Sequence, residues 1–432
     1  MADGVSTARE AALYVLGRCR RFDAWSQQTL SAAAKKFSLS DRDAALCAKL
    51  CLDVLQNAAL CDYYIGCYSS VPVSKMEPRL LDILRLGVCQ LLFMDKIPAS
   101  AAVNEAVEQT KRIGSRASGL VNAVLRRIAE NRDDLPKIPN SGTAQELSVR
   151  FSHPLWLCER MMSTLGYAGA CAFLAANNCA PKLTLSVNTR FGDAGALAER
   201  LSAAGISAHV SPLSPVSVYV ENEGNAAALP GFAAGEFFVQ DAAAAMSVLC
   251  AAPQKGMRVL DACSAPGGKS LLCASLMKNT GEILACDLHE KKLRLVEENA
   301  DRLGFDIIRT APMDASKPYE ALRENFDLVI ADVPCSGMGV IRKKPEIRYK
   351  DPVALAGLPA IQRRIADGLA ACVRPGGTLL YSTCTVFREE NEDIVEWFLS
   401  RHPDFVREEQ QIILPQDYDT DGFFYCRMKR HG

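Results

Sequence analysis

From about residue 236 onward, this chain alternates short apolar runs with helix-period stretches, and that alternation leaves few folds open to it. Strand-like runs begin near Arg258, Ile283, Ile307, Leu328 and Leu379. Short runs that are apolar on every residue belong to strands buried on both faces. Strands separated by helices form a parallel sheet covered on both sides. The first helix should follow Gly268, and Phe423-Phe424-Tyr425-Cys426-Arg427-Met428 reads as an antiparallel edge strand. Ligands of open α/β sheets bind outside the carboxyl ends of the strands. The residues just past each apolar run are therefore the candidate chemistry.

Two of those ends carry cysteine. Cys335 lies in Ala331-Asp332-Val333-Pro334-Cys335-Ser336-Gly337, and Cys384 in Tyr381-Ser382-Thr383-Cys384-Thr385. An isolated free cysteine is usually a small buried apolar residue. A thiolate at a ligand-binding strand end is instead a strong nucleophile, and two of them with Asp332 suggest covalent catalysis with a helper thiol. Upstream, Val259-Leu260-Asp261-Ala262-Cys263-Ser264-Ala265-Pro266-Gly267-Gly268-Lys269-Ser270 runs from a strand through a tight turn into a helix. Its glycines allow close backbone approach and its helix start presents free N–H groups. The spacing is neither Gly-x-Gly-x-x-Gly nor the phosphate-loop pattern, so a nucleoside triphosphate site is the weaker alternative. Asp287 ends the next strand, where a carboxylate can accept hydrogen bonds from a ribose diol. Asp314 follows the third strand and could hold an adenine amino group. This nucleoside site has no pyrophosphate cradle, which favours S-adenosylmethionine over a dinucleotide.

The rest of the chain reads differently. Residues 1 to about 135 are helix after helix, among them Ala8–Leu16, Leu80–Leu92, Ala102–Val107 and Val121–Ile128. The Leu80–Leu92 helix is apolar around most of its circumference, so it should be central in a bundle. Lys111-Arg112-Ile113-Gly114-Ser115-Arg116 makes a basic corner suited to phosphate or to plain solvation. A polar, twice proline-interrupted linker covers Asp133 to Thr143. From 147 to 235 the pattern is mixed, with strands at Leu183–Asn188 and Val216–Val220 and a helix from Ala194 to Ala204, the economy of a small α+β module. Domains are thus expected at 1–135, 147–235 and 236–432. The net charge of -1 leaves no global attraction to nucleic acid, so any RNA surface must be a local patch. The start Met1-Ala2-Asp3-Gly4 lacks a basic leader, and no uninterrupted apolar run nears the roughly 20 residues of a membrane span. Seventeen cysteines without Cys-x-x-Cys spacing, and only five histidines, point to free thiols in a reducing cytoplasm and to no structural metal.

Leu84-Arg85-Leu86-Gly87, Pro98 with Ala102-Val103-Asn104-Glu105-Ala106, and Val121-Asn122-Ala123-Val124-Leu125-Arg126-Arg127 resemble the all-helical domain of NusB-type antitermination factors. That resemblance implies an RNA-binding bundle. The segment from 236 resembles the RNA cytosine-5 methyltransferases of the Sun (Fmu) type. The likeness rests on Asp261–Lys269, Asp332-Val333-Pro334-Cys335, Ser382-Thr383-Cys384-Thr385, Phe238-Val239-Gln240-Asp241 and Gly337–Glu346. With the bundle in front, the whole resembles the bacterial small-subunit (16S) ribosomal RNA enzymes of that family. Val333 and Ser264 stand where alanine is usual.

The resemblance implies a multidomain fold: a NusB-like all-α bundle, a small α+β RNA-binding module and a Rossmann-like α/β methyltransferase domain. It implies S-adenosylmethionine as cofactor, held by Cys263, Ser264, Ala265, Pro266, Gly267, Gly268, Lys269, Asp287, Asp314 and Asp332. Cys384 would attack cytosine carbon 6, Asp332 would contact the base near nitrogen 3, and Cys335 would assist release. The sequence alone does not order the two cysteines, since Pro-Cys is the nucleophile in related DNA enzymes. Arg342, Lys343 and Lys344 are candidates for holding the RNA backbone, as are Asn188 and Arg190 from the middle module. The expected partner is RNA, foremost small-subunit ribosomal RNA, with no membrane and no required protein partner. Transfer RNA as substrate, and a non-catalytic antitermination-like RNA binder, are the alternatives.

Overall fold

A computed structural model describes residues 7–22, 26–114, 116–221, 225–317 and 319–432. The start at Met1–Gly4 and Ser115 of the basic corner lie outside the described residues. Two compact units emerge, one of residues 1–178 with Lys343–Lys350, the other of Cys179–Arg342 with Asp351–Gly432.

The first unit is helical: α1 (Ala8–Phe22), α2 (Ser26–Lys36), α3 (Asp41–Tyr68), α4 (Pro78–Phe93), α5 (Ala99–Arg112), α6 (Ser118–Glu130), α7 (Ala144–Arg150) and α8 (Leu155–Ala176). As its all-round apolarity requires, α4 is central and packs on α1, α3, α5 and α6. By length and composition α3 is apolar enough to cross a membrane; here its Leu50, Cys51, Val54, Cys61 and Ile65 are buried in the bundle core. This helix is kinked at Asn57. A kink frees backbone groups that must find partners. Ser152 Oγ accepts the Ala59 and Leu60 N–H groups at 2.8 and 3.4 Å. The freed carbonyls are met by the 343–350 segment: Tyr349 donates to Leu55 O at 2.7 Å and Arg348 to Gln56 O at 3.0 Å.

The second unit holds two sheets. In the smaller, β1 (Leu183–Val187), α9 (Ala194–Ala203), β2 (Ala208–Val210), β3 (Ser217–Val220) and β4 (Phe237–Val239) form an antiparallel sheet in the order β2-β3-β1-β4. Its core is Leu185, Val187, Leu197, Leu201, Val218 and Phe237.

The larger sheet follows from α10 (Ala242–Ala251), β5 (Arg258–Asp261), α11 (Gly268–Leu276), β6 (Glu282–Asp287), α12 (Glu290–Leu303), β7 (Ile308–Pro312) and β8 (Phe326–Asp332). It is completed by α13 (Pro352–Leu355), α14 (Leu358–Ala370), β9 (Val373–Thr383), α15 (Glu392–Arg401), β10 (Phe405–Ile413), α16 (Pro415–Tyr418) and β11 (Phe423–Arg430). The strand order is β10-β11-β9-β8-β5-β6-β7, with β5 to β9 parallel. Alternate residues of β8 and β9 enter different cores: Leu328, Ile330 and Leu380 on one face, Val329, Ala331 and Leu379 on the other. Both faces are covered, as the unbroken apolar runs require.

One strand expectation is corrected. β11 is antiparallel to β9 but interior, because β10 pairs along its far side. β10 reads Phe-Val-Arg-Glu-Glu-Gln-Gln-Ile-Ile, mostly exposed, and its polarity hides it in the sequence. The strand order reverses between β5 and β8, the chain stepping outward through β6 and β7 and returning to the other side of β5 as β8, and such a switch point opens the crevice where ligands bind.

Candidate active site

The loop from β5 to α11 forms one wall of that crevice. Ser264 N–H donates to Cys286 O at 2.7 Å, and Gly267 N–H returns to Ser264 O at 2.7 Å, closing a tight turn. Gly267 caps α11 at φ +107°, a conformation that favours glycine; a Cβ there would lie 3.1 Å from Val296. Asp261 is fully buried, takes a 2.7 Å hydrogen bond from Ser270, and leaves Oδ1 without a partner. Burial pushes its carboxyl up to about 6, opposed by the Ser270 hydroxyl and by Lys269. Gln240 Nε2 is a second buried atom without a partner, and a Cβ on Gly268 would come within 3.3 Å of it.

Carboxylates stand at the ends of β5, β6 and β8 as Asp261, Asp287 and Asp332. Asp287 is 9% exposed, and its Oδ1 accepts the His289 N–H at 2.8 Å. Asp314 lies two residues beyond β7, with its carboxylate in its own turn: Ser316 Oγ donates at 2.6 Å and Lys317 pairs at 3.2 Å. Cys263 is half-buried beside the turn, and burial raises its thiol. Ser264 is buried, Ala265 half-buried and Pro266 exposed at the tip.

Lys269 turns from this loop to the end of β8. Its ammonium lies 2.6 Å from Asp332 Oδ2 and 5.0 Å from the centre of the Phe423 ring. The other oxygen of Asp332 accepts Ser382 Oγ–H at 2.8 Å, as expected of residues in register on β8 and β9. Just past these strands the two thiols meet, with Cys335 Sγ 3.2 Å from Cys384 Sγ. Cys335 S–H donating to Cys384 lowers the Cys384 thiol, with a smaller contribution from Lys269, and raises Cys335 well above its usual value.

A buried polar frame, not foreseen from the sequence, holds both cysteine loops. Glu390 Oε2 accepts the Ser336 N–H at 2.8 Å and Gln362 Nε2 at 2.9 Å; Gln362 also donates to Pro334 O at 3.0 Å. Asn391 accepts the Thr383 hydroxyl at 2.6 Å and donates to Thr385 O at 3.0 Å, gripping both sides of Cys384. These partners come from separate elements, and no local spacing signals them.

Two expected RNA contacts, Arg342 and Asn188, are corrected. The Arg342 side chain is buried, donating to Asp419 Oδ1 at 2.7 Å and to its carbonyl at 2.8 Å. Asn188 is buried and spends its amide on Gly235 O and Leu303 O, at 2.9 and 3.0 Å. Arg190 donates to Gly304 O at 2.5 Å. Arg342 and Asn188 pin the fold, because a buried donor must find an acceptor nearby, whereas Arg190 is exposed.

Three family models match successive parts of the chain. They are the NusB family over residues 6–130, the RsmF/B-like ferredoxin-like domain over 153–227, and the 16S rRNA methyltransferase RsmB/F over 248–429. The "Probable ribosomal RNA small subunit methyltransferase B" of Bacillus subtilis is 36% identical, covering 99% of each chain. This chain belongs to the RsmB/F family. The family is one of S-adenosylmethionine-dependent RNA methyltransferases, and the bundle, middle module and Rossmann-like sheet are its domains. Ribosomal RNA small subunit methyltransferase B of Salmonella dublin is 34% identical over 90% of this chain and 91% of its own. The crystal structure of PH0851 matches with a TM-score of 0.80 at 27% identity, covering 99% of this chain and 98% of that one. NSun6 from Pyrococcus horikoshii, solved with SFG, shares the fold at 21% identity and a TM-score of 0.58 over 65% of this chain and 98% of its own.

Proposed function

We propose that this RNA methyltransferase methylates carbon 5 of a cytosine in small-subunit ribosomal RNA through a covalent bond from Cys384 to carbon 6. The observation that carries the reading is the Cys335–Cys384 contact at 3.2 Å beside the Lys269–Asp332 pair. The relatives' ribosomal RNA names favour that substrate over transfer RNA. The cofactor loop suits S-adenosylmethionine: Gly267 and Gly268 leave room, Asp261 Oδ1 and Gln240 Nε2 wait unpaired, and Asp287 and Asp314 are assigned to its nucleoside. Bound there, that group supplies an electrophilic methyl.

Carbon 5 of cytosine is a poor nucleophile until a thiolate adds at carbon 6. The Cys384 sulfur forms the bond, and the carbon 5–carbon 6 π pair moves onto carbon 5 and the ring's polar edge. A carboxylate cannot offset that negative charge, so the offset belongs to the Lys269 ammonium, with Asp332 accepting a hydrogen bond from the base. After methyl transfer, the carbon 5 proton must leave as the carbon 6–sulfur bond breaks. The carbon 5 proton passes to water, the carbon 6–sulfur pair returns to the Cys384 sulfur, and Cys335, 3.2 Å away, assists by donating its S–H to that departing thiolate. The target base must leave its stack, at about a few kcal/mol.

The test is trapping. Each cysteine variant is incubated with unmodified small-subunit ribosomal RNA and labelled S-adenosylmethionine, then run on a denaturing gel. Cys335→Ala should attack, transfer methyl and stall as a protein–RNA adduct; Cys384→Ala should give neither adduct nor product. An adduct in Cys384→Ala alone would reverse the two roles.

A further inference from the structure

Cys335 and Cys384 stand just past the ends of neighbouring parallel strands, β8 and β9, with their sulfurs 3.2 Å apart. Buried polar groups behind the sulfurs hold them there. Ser336 Oγ and Thr385 Oγ1, each fully buried, share a hydrogen bond of 2.7 Å that ties together the residues following the two cysteines. Glu390 fixes the Ser336 N–H at 2.8 Å and Asn391 the Thr385 carbonyl at 3.0 Å, so neither loop carries its sulfur away. A disulfide sets its sulfurs about 2 Å apart, so closing this pair takes about 1 Å of side-chain movement and no change of strand register.

Reach matters as well as spacing. Cys335 and Cys384 are each half-buried, open on one side to solvent. Cys61 and Cys89 also bring their sulfurs close, at 3.6 Å, but both are fully buried in the core of the helical bundle, away from any dissolved oxidant. The hydrogen bond from Cys335 lowers the Cys384 thiol, and thiolate character together with exposure makes a cysteine oxidisable.

We propose that Cys335 and Cys384 form a reversible redox switch, which a peroxide closes to a disulfide that silences methyl transfer and a dithiol reopens. The inference rests on the reading that Cys384 attacks the base, and adds a means of regulating that same site. The Cys384 thiol gives up its proton, and its sulfur attacks one oxygen of hydrogen peroxide. The O–O bond breaks, leaving a sulfenic acid on Cys384 and a hydroxide. Cys335 gives its proton to that hydroxide, making water, and its sulfur attacks the Cys384 sulfur. The S–S bond forms, the S–O bond breaks, and the departing hydroxide takes up the proton that Cys384 released. The two thiols have lost two electrons and the peroxide has gained them. A Cys384 sulfur held in a disulfide cannot add to carbon 6. Closure also shields it from the sulfinic acid, which thiols do not reverse.

The experiment treats the full chain with hydrogen peroxide and maps its disulfides by mass spectrometry. Methylation of unmodified small-subunit ribosomal RNA, and S-adenosylmethionine affinity by calorimetry, are measured before oxidation, after it and after dithiothreitol. The map should show a Cys335–Cys384 link and none between Cys61 and Cys89. Methylation should be lost on oxidation and return with dithiothreitol, while cofactor affinity stays unchanged. In Cys335→Ala, which lacks the resolving thiol, the same peroxide should carry Cys384 to a sulfinic acid that dithiothreitol does not recover. A chain that methylates RNA when reduced but forms no Cys335–Cys384 link, or that keeps methylating with the link formed, would overturn the switch alone. A reduced chain that methylates no RNA would overturn the methylation reading and the switch with it.

Discussion

Lys269 comes from the cofactor loop yet sets the charge at the end of β8, 2.6 Å from Asp332. Lys269→Met should keep the fold and lower the single-turnover methylation rate about 10²–10³-fold, the usual loss for one preorganised charge stabiliser. An unchanged rate would remove Lys269 from the chemistry. Asp261 makes a separate prediction about pH. Burial raises its carboxyl from 3.8 to about 6, so the native state holds its proton more tightly than the unfolded chain does. Its contribution to stability is complete below about 3.8 and is lost as pH rises through about 6, a change of roughly 3 kcal/mol. Asp261→Asn still accepts the Ser270 hydrogen bond but cannot ionise. It should therefore be the more stable protein at pH 8 in urea unfolding, with a flatter stability profile between pH 4 and 6. Equal slopes in the two proteins would contradict this.

Elements show where the sequence was legible. Four of the five parallel strands stood out because burial makes each an apolar run, β7 being partly exposed, and the Gly267-Gly268 turn marked the start of α11. β10 was hidden by its exposed charges, and the Glu390–Gln362 part of the buried frame by the distance in sequence between its members. Also hidden was the α3 kink, where Arg348, Tyr349 and Ser152 replace the lost helical hydrogen bonds. Arg348 is fully buried and also donates to Ser152 O at 2.9 Å and Asn178 Oδ1 at 3.1 Å. Burial lowers its guanidinium to about 10, still charged at neutral pH. Arg348→Met should destabilise the helical unit by roughly 2–5 kcal/mol through its unpaired acceptors, read by urea unfolding; a loss under 1 kcal/mol would contradict that. A second hidden constraint is backbone contact between loops. Gly339 N–H donates to Cys384 O at 2.9 Å, and Gly422 N–H to Gly339 O at 2.8 Å. A Cβ on Gly339 would overlap the Gly422 carbonyl, so Gly339→Ala should abolish methylation while S-adenosylmethionine binding persists in calorimetry.

The whole molecule has a net charge of -1 and acts on a polyanion, so its RNA contacts must be local. Its division of labour was legible because helical, mixed and strand–helix patterns follow one another along the chain. The groups proposed to react were legible because strand ends concentrate chemistry. The RNA contacts were not, since Arg342 and Asn188 look like any polar surface residues until their buried partners are seen. The central claim concerns the atom methylated. The full chain should be incubated with unmodified small-subunit ribosomal RNA and methyl-labelled S-adenosylmethionine, and the RNA digested to nucleosides for mass spectrometry. The account predicts label in 5-methylcytidine; label in N4-methylcytidine, in 5-methyluridine or on a ribose oxygen would contradict it.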